Sequence, residues 1–304
     1  MKNLAMLFSV MLLIACSHVN PKVSNGRIVH LDKFPTHYVD PRNVDIWLPD
    51  GYSTGNRYPV LYMNDGQMLY DSTITWNKQE WKVDEVITRL VSENKIRPCI
   101  VVGIWNNGKF RFPEYFPQRP LDYISADRRD TITKKYLEGE ALSDRYLQFL
   151  VKELKPYIDL NYSTIADSTG TYIMGSSMGG LISIYAICEY PGVFGGAGCM
   201  STHWPMVDPK DSNNTTQGDI EIAFRDYLVR KLPSPEHHKI YYDFGTETLD
   251  ALYEPHQKLI DSLMKLKGFD STNWITMKFP GENHSERSWS KRLNIPLEFF
   301  LASH

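Results

Sequence analysis

A serine hydroxyl attacks a carbonyl only when a base takes its proton and a carboxylate orients that base. The segment Gly175-Ser176-Ser177-Met178-Gly179 offers such a serine. Gly-x-Ser-x-Gly arises by chance in roughly one chain in ten of this length, so its surroundings decide. An apolar run, Tyr172 to Met174, precedes it and a helix-like run begins at Met178. That is the strand-turn-helix of a nucleophile elbow, whose strained serine is lifted clear of the sheet. Gly175 and Gly179 suit it because side chains there would meet the neighbouring strand and helix. Ser176 is flanked by Met174 and Met178 instead of glycines, so Ser177 is the candidate nucleophile. The bland alternative is a serine that merely caps a helix.

The base and the acid are expected downstream, in the order Ser, acid, His. Beyond the elbow stand His203, His237, His238, His256, His284 and His304. His256 falls in an amphipathic helical pattern, and His237 and His238 precede a strand. His284 alone closes a glycine-containing loop, Pro280 to His284, between a strand and the last helical segment. It is the expected base. The acid is expected after the strand Ile240 to Phe244, where the loop Gly245 to Asp250 carries Glu247 and Asp250. Asp250 is preferred because the longer excursion lets the chain turn back toward the histidine loop, with Glu247 as the alternative and Asp243, within the strand, ranked third. The developing oxyanion needs two backbone N–H donors. Met178, next after the nucleophile at a helix N-terminus, supplies one. Gln67, in the turn Asn64 to Met68 after the strand Val60 to Met63, is expected to supply the other, with its neighbour Met68 as the alternative.

These residues need a scaffold, and the chain alternates strand and helix. Val44–Leu48, Val60–Met63, Ile100–Ile104, Tyr172–Met174, Gly196–Met200, Ile240–Phe244 and Ile275–Phe279 read as strands, several as continuous apolar runs of the kind buried on both faces. Helical spacing recurs at Val83 to Val91, Tyr146 to Ile158, Met178 to Tyr190, Leu252 to Leu263 and Trp289 to Phe299. The alternation predicts an α/β fold, a mostly parallel sheet with helices on both faces, in one unit over 26–304. Two long connections, Trp105 to Ser143 and Ser201 to Asp219, leave the carboxyl edge of the sheet, where ligands of such folds bind. Trp105 and Trp204 each follow a strand at that edge and are candidates to stack on a sugar or phenolic ring, with core packing as the alternative. Asp211, Asn213 and Thr215 approach calcium-loop spacing but lack its glycine and terminal glutamate, so a solvated loop is expected.

The chain has 304 residues, 42% apolar and 23% charged, with 33 basic against 36 acidic residues. This is ordinary globular composition, and a formal charge of −3 makes nucleic acid no expected partner. Lys2 and the apolar run Leu4 to Ala15 are too short to span a membrane and read as a signal peptide over 1–15. Leu13-Ile14-Ala15-Cys16 resembles a bacterial lipobox, which makes Cys16 the candidate lipidation site, 16–25 a tether, and the lipid anchor the only membrane contact. The expected location is the bacterial cell envelope. Cys99, Cys188 and Cys199 lie in apolar runs and read as buried thiols.

The elbow followed by Gly180 and Leu181, the Asp65-Gly66-Gln67 turn, the Gly245-Thr246-Glu247 loop and the Gly281-to-His284 loop together resemble the putative-esterase family of α/β hydrolases. The resemblance spans about Asp40 to Leu301. It implies the α/β-hydrolase fold, a serine carboxylic-ester hydrolase needing no metal or organic cofactor, and Arg111, Glu114 and Tyr115 lining the acyl or leaving-group side. With a signal peptide, it implies removal of feruloyl or acetyl esters from polysaccharide. The alternative within the family is an enterobactin-type siderophore esterase, and the alternative of another class is a non-catalytic carbohydrate-binding lipoprotein.

Overall fold

The computed structural model describes residues 20–211 and 217–303. The signal peptide, Cys16 and most of the Asp211-to-Gly218 run lie outside the described residues. Eight strands form one sheet: β1 (Arg27–Phe34), β2 (Arg42–Leu48), β3 (Val60–Asn64), β4 (Ile100–Ile104), β5 (Thr171–Ser176), β6 (Gly196–Met200), β7 (Lys239–Gly245) and β8 (Trp274–Phe279). Their order across the sheet is β1-β2-β4-β3-β5-β6-β7-β8. β2 runs antiparallel to both neighbours, and β4 through β8 are parallel.

The apolar runs become strands because both faces of the sheet are covered. In β3, Val60 and Tyr62 join a core on one face while Leu61 and Met63 join a second core on the other. The helix Met178–Glu189 is buried along nearly its whole length, so its pattern is apolar all round, as expected of a central helix. The rod between Ser143 and Asn161 contains one π-helical stretch, Leu150–Leu154.

Strand order places the chemistry. From β3 the chain crosses to β4 on one side and later returns to β5 on the other, so the carboxyl ends of β3 and β5 lie together at the point where the winding reverses. Such a switch point opens a crevice beyond the strand ends. Asn64, the last residue of β3, fastens it: Nδ2 donates to Ser183 Oγ at 3.1 Å, and Oδ1 accepts from the Tyr146 hydroxyl at 2.7 Å.

Two expectations change. Residues 20–25, expected in the tether, lie on the body instead, where the Lys22 N–H donates to Asp71 and the Ser24 and Asn25 N–H groups to Asp84. Trp105 to Ser143 is largely helical, with Arg111–Tyr115 and Ala126–Tyr136 among its helices, and it sends Phe116, Ile132 and Leu137 into the core. Cys99, Cys188 and Cys199 are buried free thiols, and burial pushes the Cys99 thiol up to about 12.

Candidate active site

Ser177 sits between β5 and the helix Met178–Glu189 with φ 58° and ψ −120°, a strained conformation for a residue with a side chain. Its N–H donates to the Met200 carbonyl at 2.9 Å and its own carbonyl accepts from Gly180 at 3.0 Å, so the surrounding backbone holds the bend. Gly175 is required: a Cβ there would stand 2.8 Å from the backbone of Gly179. At Gly179 a Cβ would meet only ordinary contacts, 3.4 Å from Asn64 and Asp65, so of the two glycines the first carries the constraint. The Ser177 side chain makes no capping bond to the helix.

His284 reaches the same crevice from the loop after β8. Its backbone N–H donates to Thr248 Oγ1 at 3.0 Å, and its ring stands edge-on to Tyr253 and Trp289. Nδ1 lies 2.6 Å from Asp250 Oδ1. Asp250 is buried, and its other oxygen accepts from Ser201 Oγ at 2.5 Å and from the Gly245 N–H at 2.6 Å. Burial pushes the Asp250 carboxyl up, but the bonds from His284, Ser201 and Gly245 outweigh it and hold the carboxyl below its ordinary range. Glu247 is exposed at the start of the short helix Thr248–Leu252. Of the two competing carboxylates, the chain brings Asp250 to the imidazole.

Behind Asp250 lies a buried network that sequence reasoning missed. Ser201 Oγ, while donating to Asp250, accepts from Trp289 Nε1 and Arg292 Nη2, both at 2.9 Å. Arg292 also pairs with Asp243 through Nε at 3.0 Å and Nη2 at 2.9 Å. Asp243 is therefore an anchor for this arginine, inside β7. A second buried histidine, His203, donates from Nε2 to the Val207 carbonyl at 3.1 Å and accepts from the Tyr253 hydroxyl at Nδ1, 2.8 Å away. Burial, helped by His284, pushes its pKa down to about 4.

The turn after β3 forms the opposite wall. Asp65 takes the left-handed conformation (φ 59°) and holds Arg111 in a bidentate pair of 2.7 and 2.8 Å. Gly66 is needed there for close approach, not for positive φ: a Cβ would lie 2.4 Å from the Gly103 backbone in β4. Gln67 is the second residue of the short helix Gly66–Met68, and Met178 is the first residue of its helix. N–H groups at these positions have no intrahelical acceptor.

Asp65, Gln67, Arg111, Ser177, His284 and Trp289 line one cavity of about 620 Å³. Trp76, Asn77, Gln79, Asn106 and Glu286 also line it and escaped sequence reasoning. Trp76 could have been suspected, since an aromatic among Thr73, Thr75 and Asn77 has no apolar run to join; it is 84% exposed. Four expected substrate residues lie elsewhere. Trp105 turns its indole N–H to Asp45, and Trp204 is buried with Nε1 on Gln257 at 2.8 Å. Glu114 is buried in a bidentate pair with Arg42, at 2.6 and 2.7 Å. Tyr115 is buried beneath the turn, its hydroxyl accepting from the Asp65 N–H at 3.2 Å. Arg111 alone of the five faces the cavity.

The crossing order of this sheet and the crevice at its switch point define an α/β hydrolase. Similar solved structures include a ferulic acid esterase, with TM-score 0.62 at 18% identity, covering 90% of this chain and 98% of that one. The enterobactin esterase FES from Shigella flexneri gives TM-score 0.65 at 17% identity, covering 92% and 60%. A family model described as "Putative esterase" matches residues 38–294, and the chain belongs to that esterase family. Among curated relatives, YbbA of Bacillus subtilis is 24% identical over 170 residues, covering 55% of this chain and 60% of that one. The endo-1,4-beta-xylanase/feruloyl esterase of Xylanibacter ruminicola is 29% identical over 200 residues, covering 62% of this chain. The chain spans 60% of the first relative and 24% of the second.

Proposed function

We propose that this esterase is a serine hydrolase whose triad is Ser177, His284 and Asp250, and that it releases feruloyl or acetyl groups from polysaccharide. The observation that carries the reading is the 2.6 Å contact of His284 Nδ1 with Asp250, on an imidazole that shares one cavity with Ser177. With its Nδ1 proton donated to Asp250, the imidazole keeps the Nε2 lone pair for the serine proton. Ser177 Oγ attacks the ester carbonyl, and the Met178 and Gln67 N–H groups receive the oxyanion. His284 then protonates the departing alcohol. Water repeats the sequence on the acyl-enzyme and frees the acid.

The polysaccharide ester is supported by the match to a xylanase/feruloyl esterase and by Trp76, an exposed ring where a sugar or phenolic ring can stack. The likeness to an enterobactin esterase keeps the siderophore ester as the second reading. The envelope location and a lipid anchor at Cys16 belong to the same proposal and rest on the leader pattern alone. Replacing Ser177 by Ala is expected to abolish the burst of p-nitrophenol from its acetate ester, and a full burst from the variant would move the nucleophile elsewhere. Palmitate is expected to label the wild type and not Cys16→Ala.

A further inference from the structure

Beside the ester cavity lies a second recess of about 440 Å³, lined by Ser72, Lys78, Gln79, Glu80, Lys82, Arg287, Ser290 and Lys291. Gln79 lines both, and its Oε1 accepts from the Arg287 N–H at 3.2 Å, tying the loop after β3 to the helix Glu286–Arg292. The recess therefore adjoins the ester cavity across Gln79. Its charge differs from that of the molecule as a whole, which is formally −3: four cations face it against one carboxylate.

The compensation of these cations is incomplete. Lys291 is paired with Glu282 at 2.8 Å, outside the recess. Glu80 spends one oxygen on the Ser72 N–H at 2.6 Å and offsets part of the charge of Lys82, beyond ion-pair distance. Lys78 donates to a neutral carbonyl, that of Thr73, at 2.7 Å. Among the described residues, none of Lys78, Lys82 and Arg287 forms an ion pair with a carboxylate. Two of these cations also stand in left-handed backbone, Lys78 at φ 55° and Lys82 at φ 56°, a conformation that residues with side chains seldom adopt.

We propose that this recess is a subsite for the carboxylate of a uronate sugar in the alcohol part of the ester. The inference rests on the esterase reading above and adds the substrate's charge. Lys78, Lys82 and Arg287 supply charge-assisted donors to the carboxylate. Ser72, Gln79 and Ser290 supply hydroxyl and amide partners for the ring hydroxyls. Among the described residues no aromatic side chain lines the recess, so the recognition it offers is of charge and hydroxyl groups.

The test is inhibition of p-nitrophenyl acetate hydrolysis by xylo-oligosaccharides with and without a glucuronate branch, read as the ratio of the two inhibition constants. Each exposed charge pair contributes little, so three together are expected to favour the branched sugar by about tenfold at low salt. That preference is expected to vanish in 0.5 M salt, at a screening length of roughly 4 Å, and in Lys78→Glu/Lys82→Glu/Arg287→Glu. Because the ratio is taken within one protein, a general loss of activity in the variant cancels. Equal constants in the wild type, absence of inhibition by both sugars, or a preference that survives charge reversal would overturn the subsite. Stronger inhibition by a ferric tricatecholate than by the branched sugar would overturn the uronate assignment. A wild type inert toward p-nitrophenyl acetate would instead sink the esterase reading, and the subsite with it.

Discussion

The two sides of the crevice are built differently. On the histidine side, Asp250, Ser201, Arg292 and Asp243 are buried and each is held by several hydrogen bonds. On the opposite rim, Trp76, Lys78 and Lys82 are exposed, and two of the three occupy strained backbone. A carboxylate that must orient an imidazole to within tenths of an ångström needs a rigid, dry setting. A surface that selects among substrates needs side chains in water. Changes on the histidine side should therefore lower kcat, and changes on the rim should raise KM.

The largest effect is expected at the acid. Asp250→Asn loses the carboxylate charge and, because its amide oxygen must face the Ser201 and Gly245 donors, turns its NH2 to the imidazole and selects the wrong tautomer; kcat is predicted to fall by about 10⁴-fold, by the behaviour of other triads. Glu247→Gln, at an exposed site, is predicted to stay within about twofold. A loss at Glu247 and none at Asp250 would reverse the assignment of the acid.

His203 yields the next effect, on stability. Burial holds its folded pKa at about 4, below the ordinary histidine value of 6.5. Between those values the unfolded chain binds the proton and the folded chain does not, so stability falls as pH drops from 6.5 toward 4. The loss approaches about 3 kcal/mol. Urea unfolding across this range checks it, and His203→Gln is expected to flatten the slope there. Asp250, held below its ordinary value, contributes in the same direction at lower pH: its stabilisation is present above the unfolded pKa and is lost as pH falls through the folded one.

Ser201→Ala removes one donor to Asp250 and strands the Trp289 and Arg292 donors, at a cost of about 2 kcal/mol of stability. A purely structural role would end there. If Ser201 helps keep Asp250 charged, the acid limb of the kcat profile also moves to higher pH. The smallest effect belongs to the rim: Trp76→Ala is expected to raise KM for methyl ferulate by about fivefold, roughly 1 kcal/mol of lost stacking, and to spare kcat. A drop in kcat with KM constant would break the division between the two sides.

Much of the frame was legible from the pattern of apolar runs. Ile100–Ile104 and Gly196–Met200 read as strands with the bounds the structure gives, because a strand buried on both faces leaves an uninterrupted apolar run. β1 was not legible: it lies at the sheet edge, largely half-exposed, and its residues neither alternate strictly nor form a continuous apolar run. The helix Asp219–Lys231 follows an irregular polar run that hid its start. Asp250 could be preferred over Glu247 from loop reach. The errors at Trp105 and Trp204 share a cause, since a position after a strand tells which edge a residue leaves and not which way its side chain turns. The Ser201–Arg292 pair joins positions 91 apart, and no local pattern carries such a contact.

The most direct test is to quench the wild type during turnover of p-nitrophenyl acetate at acidic pH and map the acetylated peptide by mass spectrometry. The account predicts one acetyl group, on Ser177, in a yield that follows the burst. Acetylation confined to another residue, or turnover without any acetylated peptide, would contradict it.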